Sequence, residues 1–305
     1  KALDAIENYC KHWKLTVNTS KTKVVIFARG KIRKKPTFKF GDDQLEISDD
    51  YVYLGTKFNY NGSFAKAQTK QITQARKAAF VLIRKIQCLQ LPLDSQCELF
   101  DQLVAPILLY GSEVWGFNVS ESMERFHKWF MKYILKLKIR TPSNMVYGEL
   151  GRCHLKVHIQ CRMVNFWARI KTDSCHKLSN IMFRVTKNLH ESPNNNFNFP
   201  WIEHVHTILN QAGMGNLWNE TPRNINKKWL KQALKLRLHD ISRQNWIEDI
   251  QNDSRYTFYR LFKDELIFED YLTKLENRNR LLLLKFRCKN HGLPVLNEHP
   301  QSKVC

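Results

Sequence analysis

Two tandem carboxylates, in Phe40-Gly41-Asp42-Asp43, are the first residues whose types could do chemistry. Paired aspartates can hold the divalent ions that organise phosphoryl transfer. The same four residues lie between two β-prone runs, Thr37–Phe40 and Leu45–Ile47, where Gly and Asp supply hairpin-turn conformations. Asp42 and Asp43 are therefore read as turn residues, and so are Asp49 and Asp50 just before Tyr51. A second group, Cys153, His154, His158 and Cys161, has the residue types of a zinc site. His158 and Cys161 would share a helix face, but Cys153 and His154 fall at its entry, and no C-x-x-C pair accompanies them. Core cysteines and partly exposed histidines are expected instead. Cys288-x-x-His291 reads as a helix end followed by a loop histidine.

The stronger chemistry is cationic. After Gly62, Lys66, Lys70, Lys77 and Arg84 fall on one helical stripe, while Ile72, Ala75, Ala79, Leu82 and Ile86 fall on another. The pattern recurs with Arg125, Lys128, Lys132 and Lys136 opposite Phe126, Phe130, Tyr133, Ile134 and Leu137. Like charges at i,i+4 repel by a few tenths of a kcal/mol per pair. Any single lysine here reads as an ordinary solvated residue. Two whole stripes that keep the repulsion point to a polyanion, held through phosphates without reading sequence. Lys227, Lys228, Lys231 and Lys235 form a weaker third cluster.

These cations need helices to carry them. Residues 1–13 have a helical period (Leu3, Ile6, Cys10, Trp13). Short β-rich runs follow at Val24–Phe27, Thr37–Phe40, Leu45–Ile47 and Tyr51–Leu54. Ser63 then opens a helix running to about Gln90, and Leu91-Pro92 stops it. Asp94 caps the next, which Pro106 should end or kink. Further helices are expected over 120–139, Lys156–Lys171, Trp201–Ala212, Pro222–Ile250, Arg255–Phe262 and Asn277–Cys288. Glu191–Pro200, rich in Asn and Pro, reads as a linker. The fold class is α+β, mostly α: a small antiparallel β portion followed by a large helical body. The expected divisions are 1–62, 63–190, the linker 191–200, and 201–305.

Composition agrees. The net charge of +21 and pI near 9.7 favour nucleic acid as partner. No apolar run is long enough to span a membrane. The start lacks an initiator Met and an apolar signal core, so the chain is expected to begin mid-protein or to be missing its start. Eight scattered Cys without disulfide-framework spacing read as reduced thiols of the nucleus or cytoplasm.

Lys14–Phe27 (KLTVNTSKTKVVIF) followed by Tyr51–Gly62 (YVYLGTKFNYNG) resembles the palm end and thumb start of LINE-type (non-LTR) retrotransposon reverse transcriptases. Asn18, Lys21, Thr22 and Phe27 fall on that family's N-x-x-K-T-x-x-x-x-F signature, motif D. Tyr53-Leu54-Gly55 falls on its primer-grip turn, motif E. Ala105–Gly116 (APILLYGSEVWG), Thr141–Gly151 (TPSNMVYGELG) and Leu281–Leu296 are similar to the family too, without chemistry that their residues declare.

The resemblance implies that Lys21 serves as general acid or electrostatic partner to the leaving pyrophosphate, with Lys23 a near neighbour. It implies that the basic helices track an RNA template and DNA primer, and that target DNA is a further partner. The remaining palm and fingers of the parent polypeptide complete the partners. The family's catalytic aspartates precede motif D, so Asp42 and Asp43 do not supply them. This fragment needs no cofactor of its own, whereas the parent polymerase uses Mg2+. No metal site is expected, although Cys305 would be the first ligand of a truncated zinc knuckle. The reading is a fragment of an RNA-directed DNA polymerase. The alternatives are a non-catalytic nucleic-acid-binding protein derived from such an element, or a plain helical scaffold.

Overall fold

The computed structural model describes residues 1–28, 30, 36–192 and 198–289. It opens on α1 (Ala2–His12), whose one buried residue is Cys10. Short strands follow: β1 (Lys23–Val24), β2 (Lys39–Phe40), β3 (Asp43–Gln44), β4 (Glu46–Ile47), β5 (Asp50–Tyr53) and β6 (Thr56–Asn59). β2–β3 and β5–β6 are antiparallel hairpins. β1 and β4 pair in parallel, Lys23 beside Glu46 and Val24 beside Ile47, so the β portion is mixed rather than wholly antiparallel. The reason is topological. The β2–β3 hairpin lies between β1 and β4, which brings β4 back along β1 in the same direction. Asp42 lies in the β2–β3 turn, as expected, whereas Asp43 opens β3 opposite Phe40 and Asp50 opens β5 opposite Asn59, both paired in strands rather than sitting in turns. The tip of the β2–β3 hairpin is tied to α1 where Gly41 N–H donates to Glu7 (3.1 Å).

The rest is helical: α2 (Ala65–Leu89), α3 (Leu93–Leu99), α4 (Ala105–Leu108), α5 (Ser112–Trp115), α6 (Glu121–Ile134), α7 (Ser143–Glu149), α8 (Leu155–Thr172), α9 (Leu178–Glu191), α10 (Pro200–Gln211), α11 (Lys227–Asn252), α12 (Tyr271–Lys274) and α13 (Asn277–Arg287). The mostly-α α+β class therefore holds. The Ser63 hydroxyl accepts from Ala65 N–H at the start of α2. Pro106 lacks an N–H for the preceding turn. The chain accommodates it with a widened π-helical turn, Phe100–Val104, between α3 and α4. The segment expected as one helix near Arg255–Phe262 is two 3-10 turns, and the segment 178–191 is a helix where none was marked.

One expected helix is shorter than its sequence pattern. α6 ends at Ile134 because Lys136 adopts a left-handed conformation (φ 53°). Leu137 N–H then returns to Lys132 O, and Lys136 N–H to Tyr133 O. This is a Schellman-type stop. It swings Leu137 into the core and puts Lys136 beyond the stripe it was assigned to.

A single apolar core runs from Ala75 in α2 to Cys288 after α13. The helices before the 191–200 segment and those after it share this core, chiefly through α8 against α10 and α11. Trp115 and Trp167 are wholly buried within it.

Candidate nucleic-acid interface

The Tyr53-Leu54-Gly55 segment forms the tight turn between β5 and β6, with Tyr53 paired to Thr56. Leu54 (φ 47°) and Gly55 (φ 85°) are both left-handed, the geometry a two-residue hairpin requires. For leucine that conformation costs roughly 1–2 kcal/mol. Leu54 is nevertheless 74% exposed, so packing does not repay the cost. Polar ties hold the turn instead. The Tyr110 hydroxyl donates to Leu54 O (2.6 Å), and Lys70 Nζ donates to Gly55 O (3.4 Å).

The helical segment around Tyr110 explains why the Ala105–Gly116 stretch has its sequence. Gly111 is left-handed (φ 75°), and a Cβ there would meet Thr56 Oγ1 at 3.1 Å and Trp115 Nε1 at 3.2 Å. Trp115 donates its indole N–H to Tyr110 O (3.1 Å), fixing the tyrosine that holds the hairpin. Phe58 packs edge-on to Phe64, and Phe64 to Phe117. The turn is thus buttressed from the helical body, and Tyr110 is a residue that the sequence reading passed over. Its signal was the aromatic-Gly step in a helix-rich stretch, which spacing alone cannot connect to a hairpin more than fifty residues away.

Lys21 sits on a turn organised by Asn18. The Asn18 side-chain carbonyl accepts from Lys21 N–H (3.1 Å), and its backbone carbonyl accepts from Thr22 N–H (3.1 Å). The Thr19 hydroxyl donates to Asp43 (2.7 Å) and anchors the turn to the β2–β3 hairpin. The Lys21 side chain is exposed, and so is Phe27.

The two assigned stripes prove unequal. Lys66 is taken by Asp50, with Nζ–Oδ2 at 3.0 Å, and Asp50 also holds Lys57 (3.1 Å). These two lysines hold the Asp50 carboxyl below its ordinary range. Lys66 and Lys70 therefore staple the hairpin to α2. Lys77 and Arg84 remain exposed. Across the helix contact, Phe80 meets Trp129 (5.6 Å) and the Gln87 amide donates to Tyr133 OH (2.9 Å). This sets α2 and α6 side by side. On α6, Arg125 reaches Glu121 (3.7 Å). Lys132 caps Ile139 O (2.7 Å), and burial with the nearby Lys128 charge pulls its pKa down. With Lys70 and Lys132 held by backbone carbonyls and Lys136 beyond the helix end, Lys77, Arg84 and Lys128 are the cations left on the two stripes with neither an ion pair nor a hydrogen bond among the described residues, and the α2 sequence carries no acid.

The chain is 30% identical over 125 residues to an uncharacterised transposon-derived protein of Caenorhabditis elegans. That match covers 39% of this chain, and the chain spans 42% of the relative's length. It relates the chain to transposon-derived sequence. No family model matches the chain, and no solved structure matches it.

The metal-like residues separate in space. The Cys153 thiol lies 3.5 Å from His239 Nδ1. His154 turns to Glu124 (3.3 Å), and His158 packs edge-on to His239. Among the described residues no group of three or more His, Cys, Asp or Glu could hold a metal ion. Cys305 and His291 lie outside the described residues. No described helix is long and apolar enough to cross a membrane.

Two acids escaped the sequence reading, Glu124, which is half-buried, and Glu149, which is wholly buried. Glu124 accepts from Tyr147 OH and from Leu155 N–H (3.0 Å), beside a buried His127 whose pKa desolvation lowers. Glu149 accepts from Arg287 Nε (3.0 Å) and Tyr271 OH (2.5 Å). This pair explains the Thr141–Gly151 stretch: Gly148 lies against Trp246 and Tyr259, Gly151 against the Ile267–Phe268 backbone, and Glu149 locks α13 onto α7. Both networks knit helices together.

Proposed function

We propose that this chain is the trailing part of a transposon-encoded, LINE-type reverse transcriptase, and that it grips the template–primer duplex. The carrying observation is the Tyr53-Leu54-Gly55 turn: an exposed leucine in a costly conformation, pinned by Tyr110 and Lys70 beside cationic α2. Backbone strain persists where surrounding structure over-determines it, and it clusters at ligand clamps. A primer strand lying over the turn gives the exposed tip its use. Lys77, Arg84 and Lys128 then contact phosphates, and Lys21 faces the active centre of the parent enzyme. The similarity to a transposon-derived protein supports the same reading.

The test is binding of a short RNA–DNA hybrid, followed by fluorescence anisotropy against salt. Replacing Lys77, Arg84 and Lys128 together with Gln should flatten the log–log salt slope by about 2.7, at roughly 0.9 per lost phosphate contact. Residues 1–305 alone should incorporate no nucleotide. Undetectable or salt-independent hybrid binding overturns the reading.

A further inference from the structure

A second cationic surface lies away from the hairpin, along the seam of α8 and α11. Two adjoining cavities open there, of about 350 Å³ and 500 Å³. Both are lined by Arg162, Asn165 and Lys231. Lys235 lines the first, while Lys227, Arg169 and Phe166 line the second. They share no lining residue with the cleft beside the 54–55 turn apart from Pro106.

The charges in this groove are uncompensated. Among the described residues, none of Lys227, Lys231, Lys235, Arg162 or Arg169 has a carboxylate within ion-pair distance. Asp101, at one end, is already bound by Arg152. Glu113, at the other, is the one acid lining the second cavity. Lys227, Lys231 and Lys235 repeat at i, i+4 and i+8, about 6 Å apart along the helix axis. Each adjacent pair repels by a few tenths of a kcal/mol. His158 and His239 border the groove, and desolvation lowers the pKa of both, His158 to about 4. The positive charge of the groove therefore comes from its lysines and arginines rather than from histidine.

We infer that this groove binds the sugar–phosphate backbone of a single nucleic-acid strand. Its walls are two packed helices, whose axes typically lie about 8–10 Å apart, a furrow on the scale of one strand. A row of cations one helical turn apart matches the repeat of phosphates along a stretched strand. The Arg169 guanidinium, lying over the Phe166 ring (5.0 Å), offers a planar surface for stacking a base, and single-strand grooves combine such planes with backbone cations. RNA and DNA share the phosphodiester, so the choice between them is left to the two probes of the test. The inference stands on residues separate from those of the duplex-gripping surface and does not depend on it.

The experiment uses the full chain, twelve-nucleotide oligo(U) and oligo(dT), and an RNA–DNA hybrid, each followed by anisotropy against salt. Replacing Lys231 and Lys235 with Gln should weaken single-strand binding at least tenfold and flatten its salt slope by about 1.4, at roughly 0.7 per contact. Hybrid binding should stay within twofold. The K77Q/R84Q/K128Q variant should leave oligo(U) and oligo(dT) binding within twofold, whether or not the hybrid is lost. A thiouridine-bearing probe should crosslink to α8 or α11, and unfolding midpoints equal to that of the parent chain exclude misfolding. The inference fails if K231Q/K235Q leaves single-strand binding unchanged or if the crosslinks map elsewhere. It also fails if polyglutamate of equal length competes as well as the oligonucleotides, since that would mark an acidic-peptide site.

Discussion

The first 62 residues and the helical body that follows stay folded by different means. In the body, apolar side chains from α2 to α13 meet in one core, and Trp115, Trp167, Phe100 and Phe130 lose all contact with solvent. Among the described residues of the first 62, the buried apolar side chains are Cys10 and Leu45, while Tyr9, Trp13, Leu15, Phe27, Tyr51 and Tyr53 remain exposed. Polar ties hold that part together: Glu7 to Gly41, Thr19 to Asp43, Lys23 to Glu46, and Asp50 to Lys57 and Lys66. Exposed ion pairs of this kind contribute about 0–1 kcal/mol each. The β portion therefore takes its stability from resting on the helices, through Tyr110 and the Phe58–Phe64–Phe117 contacts. The strained turn sits at that junction, where a weak layer meets a rigid one.

The largest test of this contrast lies inside the body. Arg287→Met strips the buried Glu149 carboxylate of its cation and should destabilise the whole chain by roughly 3–5 kcal/mol in thermal or urea unfolding. A loss under 1 kcal/mol would mean that the network does not lock α13 onto α7.

Acid should separate the two regions next. His158 has its pKa lowered by desolvation to about 4, against an ordinary value near 6.5. Between those values the unfolded chain takes up a proton that the folded chain refuses. Stability is thus fully present above about pH 6.5 and falls as pH drops toward 4, by no more than about 3 kcal/mol. His158→Gln should lessen that acid loss, while His127, His204 and His239, also lowered by desolvation, keep the remainder. If its urea midpoint at pH 4.5 matches that of the parent chain, the desolvation account is wrong.

Tyr110→Phe removes a bond between the regions and should cost about 1 kcal/mol. Amide exchange should accelerate across β5 and β6 while α8 stays unchanged; equal acceleration in both would erase the distinction. The smallest effect is expected for Leu54→Gly. Relief of the left-handed strain is largely offset by the extra freedom of glycine in the unfolded chain. The unfolding midpoint should move by a few tenths of a kcal/mol, and a loss above 1 kcal/mol would show that Leu54 packs against something.

Much of the fold was legible from local pattern. The α2 apolar period, the Ser120 cap with its bond from Ser122 N–H (3.2 Å), and the Gly-Asp hairpin at 41–43 all follow from nearest-neighbour rules. The early stop of α6 was not, because it depends on Leu137 finding a place in a core built from distant helices. The parallel β1–β4 pair was hidden for a similar reason: two-residue strands carry too little alternation to declare their partners. The α9 stripe of Leu178, Ile181, Val185 and Leu189 was readable at helical spacing and was overlooked. Of the cationic stripes, the sequence could place lysines on a face but could not say which of them carboxylates had already claimed.

By itself, then, the sequence determined the excess of positive charge, the helical body, and the Tyr-Leu-Gly turn, since these rest on composition, period and local backbone preference. Tertiary structure decided which charges remain free. Asp50 and the Gly55 carbonyl take Lys66 and Lys70, and Ile139 O takes Lys132, whereas Lys77, Arg84 and Lys128 stay open. It also decided that Arg162 and Arg169 of α8 would line one groove with Lys227, Lys231 and Lys235 of α11. Ion pairing and groove formation depend on distances of a few ångström between residues far apart in the chain, and only the packed core sets those distances.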